Sequence, residues 1–281
     1  MEIRVLGALG VQICGVSVVP TAPKPRQVLA LLASRADQVV PAGALAEELW
    51  SGRPPRSART TVQTYVLQLR DLIDRALAAA GAAAGVSCAK DVLVTSTGGY
   101  QLSTGGGQVD LWDFERLAGL GYRSIDAGDF PLAARQLGEA LALWRGPALA
   151  DVPLGGQLAV EAKRLEETRL CALDQRIEAD LRLGRHRVLL AELTVLVDRY
   201  RTHESLHGQY MVALHRSGRR SEALEAYQRL RNTLVRELGM EPSAGLRRLQ
   251  RSILLAGPER PEQEAPVAAP HPTDSRLSRV G

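Results

Sequence analysis

The chain has 281 residues, 45% hydrophobic and 23% charged, which is typical of globular proteins and sufficient for two domains with cores of their own. Its formal charge of +4 and isoelectric point near 9.2 are compatible with a nucleic-acid partner but do not require one. The cysteines are too widely spaced for a CxxC metal site or a disulfide framework, no stretch reaches the roughly 18 apolar residues of a membrane-spanning helix, and no signal peptide is recognisable. We therefore expect a soluble cytoplasmic protein with no membrane partner.

The first predicted elements are short strands. Residues 2–19 contain brief apolar or alternating runs split by glycines, which predicts a small antiparallel sheet with tight turns. Three prolines are expected to close this sheet: Pro20, Pro23 and Pro25.

Two helices are predicted next. The first begins at Arg26, runs through QVLALLASRA and ends at the polar turn Asp37–Gln38. The second is AGALAEELW, with Pro41 as an early residue of the helix.

The stretch from Leu45 to Ile73 has the layout of a DNA-reading helix-turn-helix: a short helix, a glycine- and proline-containing break, and a long amphipathic helix. Apolar residues of the long helix recur at the helical period and predict a core-facing stripe, formed by Val62, Val66, Leu69 and Ile73.

The opposite face of the long helix is polar and free of acidic groups. Arg56 and Arg59 precede its first turn, and no acidic residue lies between Leu49 and Arg70. The face itself carries hydrogen-bonding side chains: Thr60, Thr61, Gln63, Thr64 and Gln68. Cations, amides, hydroxyls and a helix N-terminus together favour a polyanion such as DNA, although the same residues could simply solvate an ordinary helix.

A β-hairpin is predicted after the long helix. An alanine- and glycine-rich stretch, Ala76 to Gly85, should contain the helix end and a loop, and VLVTSTGGYQLS then forms two short strands around Ser96–Gly99. Sheet, helices and hairpin in this order predict a winged helix over residues 1–108, with a linker at Gly105–Gly107.

Residues 109–256 are predicted to form an all-α domain with internal repeats. Counting from a glycine to apolar positions five, nine and twelve residues later gives three matching sets: Gly128, Ala133, Leu137 and Ala140; Gly184, Leu189, Leu193 and Leu196; Gly218, Ala223, Tyr227 and Leu230. The last two glycines are 34 residues apart, the tetratricopeptide period. An arbitrary helical bundle is the alternative, and residues 257–281, rich in proline and polar residues, should be disordered.

One enzyme motif is present, His203-Glu204-Ser205-Leu206-His207, which matches the zinc-binding HExxH pattern. Thr202 is predicted to cap the helix, so His203 falls in its first turn, and His215 cannot complete a tetrahedral site. The carboxylates Asp110, Asp113 and Asp151 are interpreted as caps and turns. The tryptophans are expected on apolar helical faces as core residues: Trp50, Trp112 and Trp144.

The sequence resembles the Streptomyces antibiotic regulatory proteins, a family of pathway-specific transcription activators, from Met1 to about Ala256. The resemblance depends on five long motifs: KPRQVLALLA (24–33), LWSGRPPRSARTTVQTYVLQLR (49–70), GGYQL (98–102), ALALWRGPALADVP (140–153) and EALEAYQRLRNTLVRELGMEPSAGLRRLQ (222–250).

The resemblance implies an α+β winged helix-turn-helix N-terminal domain of the OmpR type, followed by an all-α tetratricopeptide-like helical repeat domain. It also implies binding to direct repeats in double-stranded promoter DNA of a biosynthetic gene cluster, and recruitment of RNA polymerase holoenzyme through its sigma factor region and its alpha and beta subunits. Self-association as a side-by-side dimer on DNA would follow from the direct repeats. No cofactor and no metal are expected, and because no nucleotide-binding domain is attached, neither is regulation by ATP hydrolysis.

The predicted site therefore consists of groups that face bases or phosphates. The helix residues Thr60, Thr61, Gln63, Thr64 and Gln68 should face the major groove, and four arginines should contact phosphates: Arg26, Arg56, Arg59 and Arg70. Family wings often carry a basic residue where this chain has Ser96-Thr97, so Thr97 or Lys90 should supply the wing contact. Two other functions stay open: a helical adaptor whose winged domain binds protein, and a zinc enzyme.

Overall fold

The computed structural model describes residues 1–81 and 88–256, which form two compact units, one spanning Met1–Leu193 and the other beginning at Thr194. The predicted disordered tail, residues 257–281, lies outside the described residues, as does the predicted loop beyond Gly81. Within the described ranges, no helix combines the length and apolar character needed to cross a bilayer.

The N-terminal sheet is the predicted antiparallel one with an added strand. Strands β1 (Glu2–Arg4), β2 (Gly10–Ile13) and β3 (Val16–Ser17) pair antiparallel, and β7 (Gln108–Val109) joins β1 in parallel, giving the order β3-β2-β1-β7. Ile3 pairs with Val11 on one side and Val109 on the other and is fully buried. The chain therefore returns to its first strand before entering the helical region.

The first helix begins earlier than predicted. Helix α1 (Pro23–Ser34) contains Pro23 and Pro25 in its first turn, so these residues do not close the sheet. Proline is tolerated there because the first turn leaves its N–H groups unbonded in any case. The second helix begins later than predicted. Pro41 is the last residue of β4 (Val40–Pro41) and precedes α2 (Ala42–Trp50).

The long amphipathic helix is α3 (Ala58–Ala80), and its predicted end between Ala76 and Gly85 is confirmed at Gly81. Its predicted apolar stripe is buried: Val62, Val66, Leu69 and Ile73 are each about 1% exposed. The turn before it uses left-handed backbone at Ser51 and Gly52, which reverses the chain between α2 and α3.

The predicted hairpin is also confirmed. After the short helix α4 (Ala89–Val92), β5 (Leu93–Ser96) and β6 (Gly99–Leu102) pair in register, and β6 also pairs with β4. A Cβ on Gly99 would lie 2.3 Å from the carbonyl oxygen of Val40, so only glycine fits that strand contact.

The remaining elements are all helical: α5 (Asp110–Asp126), α6 (Phe130–Ala142), α7 (Gly156–Arg182), α8 (His186–Arg199), α9 (Glu204–Arg216), α10 (Arg220–Leu238) and α11 (Ala244–Leu255). The three glycines that define the predicted repeat each join two helices and have positive φ angles, 74° at Gly128 and Gly184 and 80° at Gly218. Their counted apolar positions are buried except Leu196, which is half-buried.

Two carboxylates connect the winged region to the first helices that follow it. Asp110 accepts hydrogen bonds from the backbone N–H groups of Val5 and Leu6 and pairs with Arg145 at 2.5 Å. Glu48, 1% exposed, accepts from the N–H groups of Gln157 and Leu158 at the start of α7. The hydrophobic core runs without interruption from the winged region into α7.

These contacts correct two sequence interpretations. Asp110 and Asp151 are not local caps, because they bind backbone far away in sequence: Asp151 accepts from the N–H of Leu9 at 2.7 Å. Of the tryptophans, Trp144 is buried edge-on against Phe114 but lies beyond the end of α6, and Trp112 is 40% exposed. The helical period of the sequence predicted that Trp112 is buried. The period alone does not show whether another element packs over that face of the helix.

Candidate nucleic-acid interface

The outer face of α3 is exposed along its first three turns. Val62, Val66 and Leu69 anchor the helix in the core, so the intervening side chains face outwards. Five of the predicted base-facing residues lie there, Thr60, Gln63, Thr64 and Gln68 exposed and Thr61 half-buried. The structure therefore brings the predicted reading residues together on one surface.

Two of these threonines use their hydroxyl hydrogens within the helix. Thr61 Oγ1 donates to the carbonyl of Ser57 at 3.1 Å, and Thr64 Oγ1 donates to that of Thr60 at 3.0 Å. Each oxygen keeps its acceptor capacity. Both residues can accept from a base amino group but cannot also donate without leaving this arrangement.

Arg56 and Arg59 are the cations of this surface. Both are exposed, and among the residues that the structure describes neither forms an ion pair with an acidic side chain. Their positive charges are therefore not neutralised by the protein.

A cleft of about 620 Å³ separates α3 from the hairpin. Arg56, Arg59 and Gln63 line one side, and Thr95 and Ser96 line the other. Cations, an amide and hydroxyls thus share one concave surface.

Arg70 connects the two walls of this cleft. Its guanidinium donates to the carbonyl of Leu93 at 2.7 and 3.1 Å and to Thr95 Oγ1 at 2.8 Å. Arg26 is similarly engaged, pairing with Asp151 at 2.9 Å and donating to the carbonyl of Pro20. Each guanidinium has five N–H donors, so a phosphate would bind through those that these protein contacts leave unused.

The wing residues are exposed but separate. Thr97 lies at the hairpin tip with Gly98, whose φ is +83°, and Lys90 lies on α4, outside the set of residues lining the cleft.

Sequence reasoning missed two exposed residues of this surface. Arg53 lies in the turn before α3, where the same basic segment could have indicated it. Leu67, on the polar face of α3, is 62% exposed. No sequence signal distinguishes Leu67 from the core leucines, since it adjoins the buried stripe.

The HExxH residues have structural positions that do not converge on a metal. His203, not Thr202 as predicted, is the N-cap of α9, and its Nδ1 accepts from the N–H of Leu206 at 3.4 Å. Glu204 accepts from the N–H of Ser243 at 2.8 Å, and His207 is buried. Within residues 1–81 and 88–256, no group of three metal-binding side chains is found.

Two family models match the chain. The bacterial transcriptional activator domain matches residues 109–254, and the model described as transcriptional regulatory protein, C terminal, matches residues 17–81. The regulatory protein DnrI of Streptomyces peucetius is 51% identical over 271 residues, which are 96% of this chain and 98% of that protein.

The chain belongs to the Streptomyces antibiotic regulatory protein family of transcriptional regulators. The predicted family and fold class are confirmed.

Longer relatives share the same region. The regulatory protein AfsR of Streptomyces coelicolor is 36% identical over 95% of this chain, which corresponds to 26% of AfsR. The solved structure of Mycobacterium tuberculosis EmbR, in complex with a low affinity phosphopeptide, superimposes with a TM-score of 0.80 at 35% identity; the match covers 90% of this chain and 64% of that one.

Proposed function

We propose that this regulator is a sequence-specific DNA-binding activator of a secondary-metabolite biosynthetic gene cluster. It binds direct repeats upstream of promoters, in the cytoplasm at the nucleoid, and recruits RNA polymerase with its primary sigma factor. The observation that carries the proposal is the α3–wing cleft, with Arg56 and Arg59 uncompensated beside the exposed face of α3.

The proposed docking puts α3 in the major groove. Its exposed amides and hydroxyls reach base edges, and Arg56 and Arg59 reach the flanking phosphates together with the N–H groups of the first turn. The hairpin, with Thr97 at its tip, lies against the neighbouring backbone or minor groove, and Lys90 of α4 is the cation predicted to supply the wing contact. Phosphate contacts by Arg26 and Arg70 stay predictions and would use the N–H donors that their protein contacts leave unused.

Direct repeats imply two protomers side by side on one face of the duplex. Such head-to-tail contacts join different surfaces of the two copies, and residues 109–256, proposed as the activator domain, could supply one of them. The sigma factor region and the alpha and beta subunits of polymerase are the proposed further partners.

Fluorescence anisotropy tests this proposal. The purified chain is titrated onto a duplex containing its own cluster's promoter repeats and onto a scrambled duplex, at several salt concentrations. We expect tighter binding to the repeats and an affinity that falls steeply with salt. Equal affinity for both duplexes would refute base reading, and no binding at low salt would favour the adaptor function.

A further inference from the structure

The second compact unit contains a cavity of about 550 Å³ between the C-terminal half of α8 and helices α9 and α10. It shares no residue with the α3–wing cleft. Its volume is in the range of small-molecule sites.

His207 is the buried polar residue of this cavity. It is 7% exposed; the backbone carbonyls of Tyr200 and Val197 act on its ring as weak hydrogen-bond acceptors, but neither ring nitrogen has a well-formed hydrogen bond to a described protein atom. Burial, the largest effect, lowers the pKa of His207, so the ring is neutral and offers one donor and one acceptor. A buried imidazole without well-formed hydrogen bonds is costly in a folded protein, so a ligand that completes them would be favoured.

Two arginines flank this ring. Arg229 lies 3.8 Å from Glu225 and Arg201 lies 3.5 Å from Glu237, both as long ion pairs between largely exposed side chains. Exposed pairs of this kind are weak, so an oxyanion can compete for the guanidinium groups.

Apolar and hydroxyl groups complete the lining. Val195 and Leu230 supply apolar surface, and the Tyr210 hydroxyl lies 3.3 Å from the Thr194 hydroxyl, which donates to it. The lining therefore combines two guanidinium groups, a neutral imidazole, hydroxyl groups and apolar surface with one carboxylate, that of Asp198.

We propose that this cavity binds an organic carboxylate that also carries a hydroxyl group and an apolar ring. Arg201 and Arg229 bind the carboxylate, His207 exchanges a hydrogen bond with the hydroxyl, and Val195 and Leu230 contact the ring. The proposal does not depend on DNA binding and can fail or hold independently of it.

The arrangement also accounts for the HExxH sequence. His203 caps α9 and Glu204 binds the backbone at Ser243, so only His207 is directed to the cavity. In the HExxH sequence, His203 and Glu204 therefore have structural roles, and His207 is the residue that faces the proposed ligand.

Nuclear magnetic resonance of nitrogen-labelled histidine in the full chain tests the proposal, with para-hydroxybenzoate as the probe. We expect the His207 ring signals to shift saturably, and para-hydroxybenzamide, which lacks the charge, to bind roughly tenfold more weakly. His207 is assigned by its loss in His207→Asn.

A matched pair of variants separates this site from general anion attraction. Arg229→Gln should weaken para-hydroxybenzoate binding roughly tenfold, whereas Arg231→Gln, on the same helix, also exposed and outside the cavity, should leave the affinity unchanged. If His207→Asn does not fold, calorimetric titration of this pair carries the test.

Three results would overturn the proposal. They are no saturable His207 shift at millimolar probe, equal affinities of the Arg229 and Arg231 variants, and an identical response to inorganic phosphate, which has neither ring nor carboxylate.

Discussion

Arginines in the N-terminal region differ in the groups that they already bind. Arg26 and Arg70 donate to protein oxygens and hold neighbouring segments in place, whereas Arg56 and Arg59 form no ion pair within the described residues. A phosphate would meet the whole guanidinium group of the second pair, but only the remaining N–H donors of the first pair. At the scale of single residues, we therefore expect Arg56 and Arg59 to bind phosphates, and Arg26 and Arg70 to position neighbouring segments of the protein.

Arg59→Ala should weaken binding to target and scrambled duplexes by the same factor. A phosphate contact carries no sequence information, and its loss should reduce the slope of log affinity against log salt by about one. Anisotropy across a salt series measures both. Arg75→Ala, exposed near the far end of α3 and paired with Asp71, is the control and should change neither quantity.

Gln63→Ala provides the contrasting result. A side chain that reads a base should lose roughly 1–3 kcal/mol of discrimination against the wrong base while the salt slope stays constant. An equal loss of affinity for every duplex would show instead that Gln63 contacts the DNA backbone.

His207 should make stability fall in mild acid. Burial, the largest effect, and then smaller electrostatic contributions from His203 and Arg229 hold the pKa of the folded state below the ordinary value of 6.5. As pH falls below about 6.5, the unfolded state binds a proton first, so the stability from neutral His207 is complete above that pH and is lost on approach to the lowered folded pKa.

Urea unfolding from about pH 7.5 to about pH 5.5 measures this effect. The free energy of unfolding of wild type should fall more over this range than that of His207→Gln. The backbone carbonyls of Tyr200 and Val197 oppose the shift, because they favour the protonated ring. Parallel curves for wild type and His207→Gln would contradict the prediction.

At the scale of elements, the helical repeat depends on glycine turns. Gly218 has a φ of +80°, and a Cβ built there has no heavy atom within 4 Å, so the backbone conformation alone requires glycine. Helices α9 and α10 are joined at this residue.

Gly218→Ala should therefore destabilise the protein by about 1–2 kcal/mol, the cost of left-handed backbone in an L-residue. Gly138→Ala is the matched control, because Gly138 lies inside α6 with equally open space. That change should stabilise by roughly 0.5–1 kcal/mol, since alanine is the better helix former. Denaturant unfolding measures the stability of both variants. Similar changes in the free energy of unfolding would contradict the assignment.

Arg70 of α3 holds the hairpin against that helix. The position of the wing therefore depends on contacts between α3 and β5. Arg70→Met keeps the aliphatic stem but removes the bonds to Leu93 and Thr95. We expect faster amide exchange in β5 and weaker DNA binding with an unchanged salt slope. A slope reduced by about one would show instead that Arg70 binds a phosphate.

At the scale of the whole molecule, Glu48 connects the helix-turn-helix to α7. Its buried carboxylate accepts from Gln27 Nε2 and from the N–H groups of Gly155, Gln157 and Leu158. The negative charge lies at a helix N-terminus, where the dipole and the free N–H groups favour it.

Glu48→Gln should lower the free energy of unfolding by roughly 2–4 kcal/mol, because an amide places N–H donors against N–H donors in a buried site. Glu47→Gln, exposed and adjacent, should change it by less than about 0.5 kcal/mol. Urea unfolding compares the two. Equal stabilities would show that the connection is dispensable.

Several elements were predictable because each depends on local chemistry. The period of Val62, Val66 and Leu69 identified α3 and its outer face, and the hairpin followed from alternating residues around Gly98. The repeat glycines were found by spacing, since a tight turn between helices needs left-handed backbone. Long motifs identified the family.

The sequence by itself therefore determined the order and type of most elements, the polar face of α3 and the membership of the family. Only the tertiary structure decided which arginines are free to bind a phosphate, that Asp110 and Glu48 connect the winged region to the helices that follow, and that His207 faces a cavity. The physical reason is range. Helical period and turn chemistry act over a few residues, whereas the partner of a buried charge is chosen by packing across more than a hundred residues, as between Glu48 and Leu158.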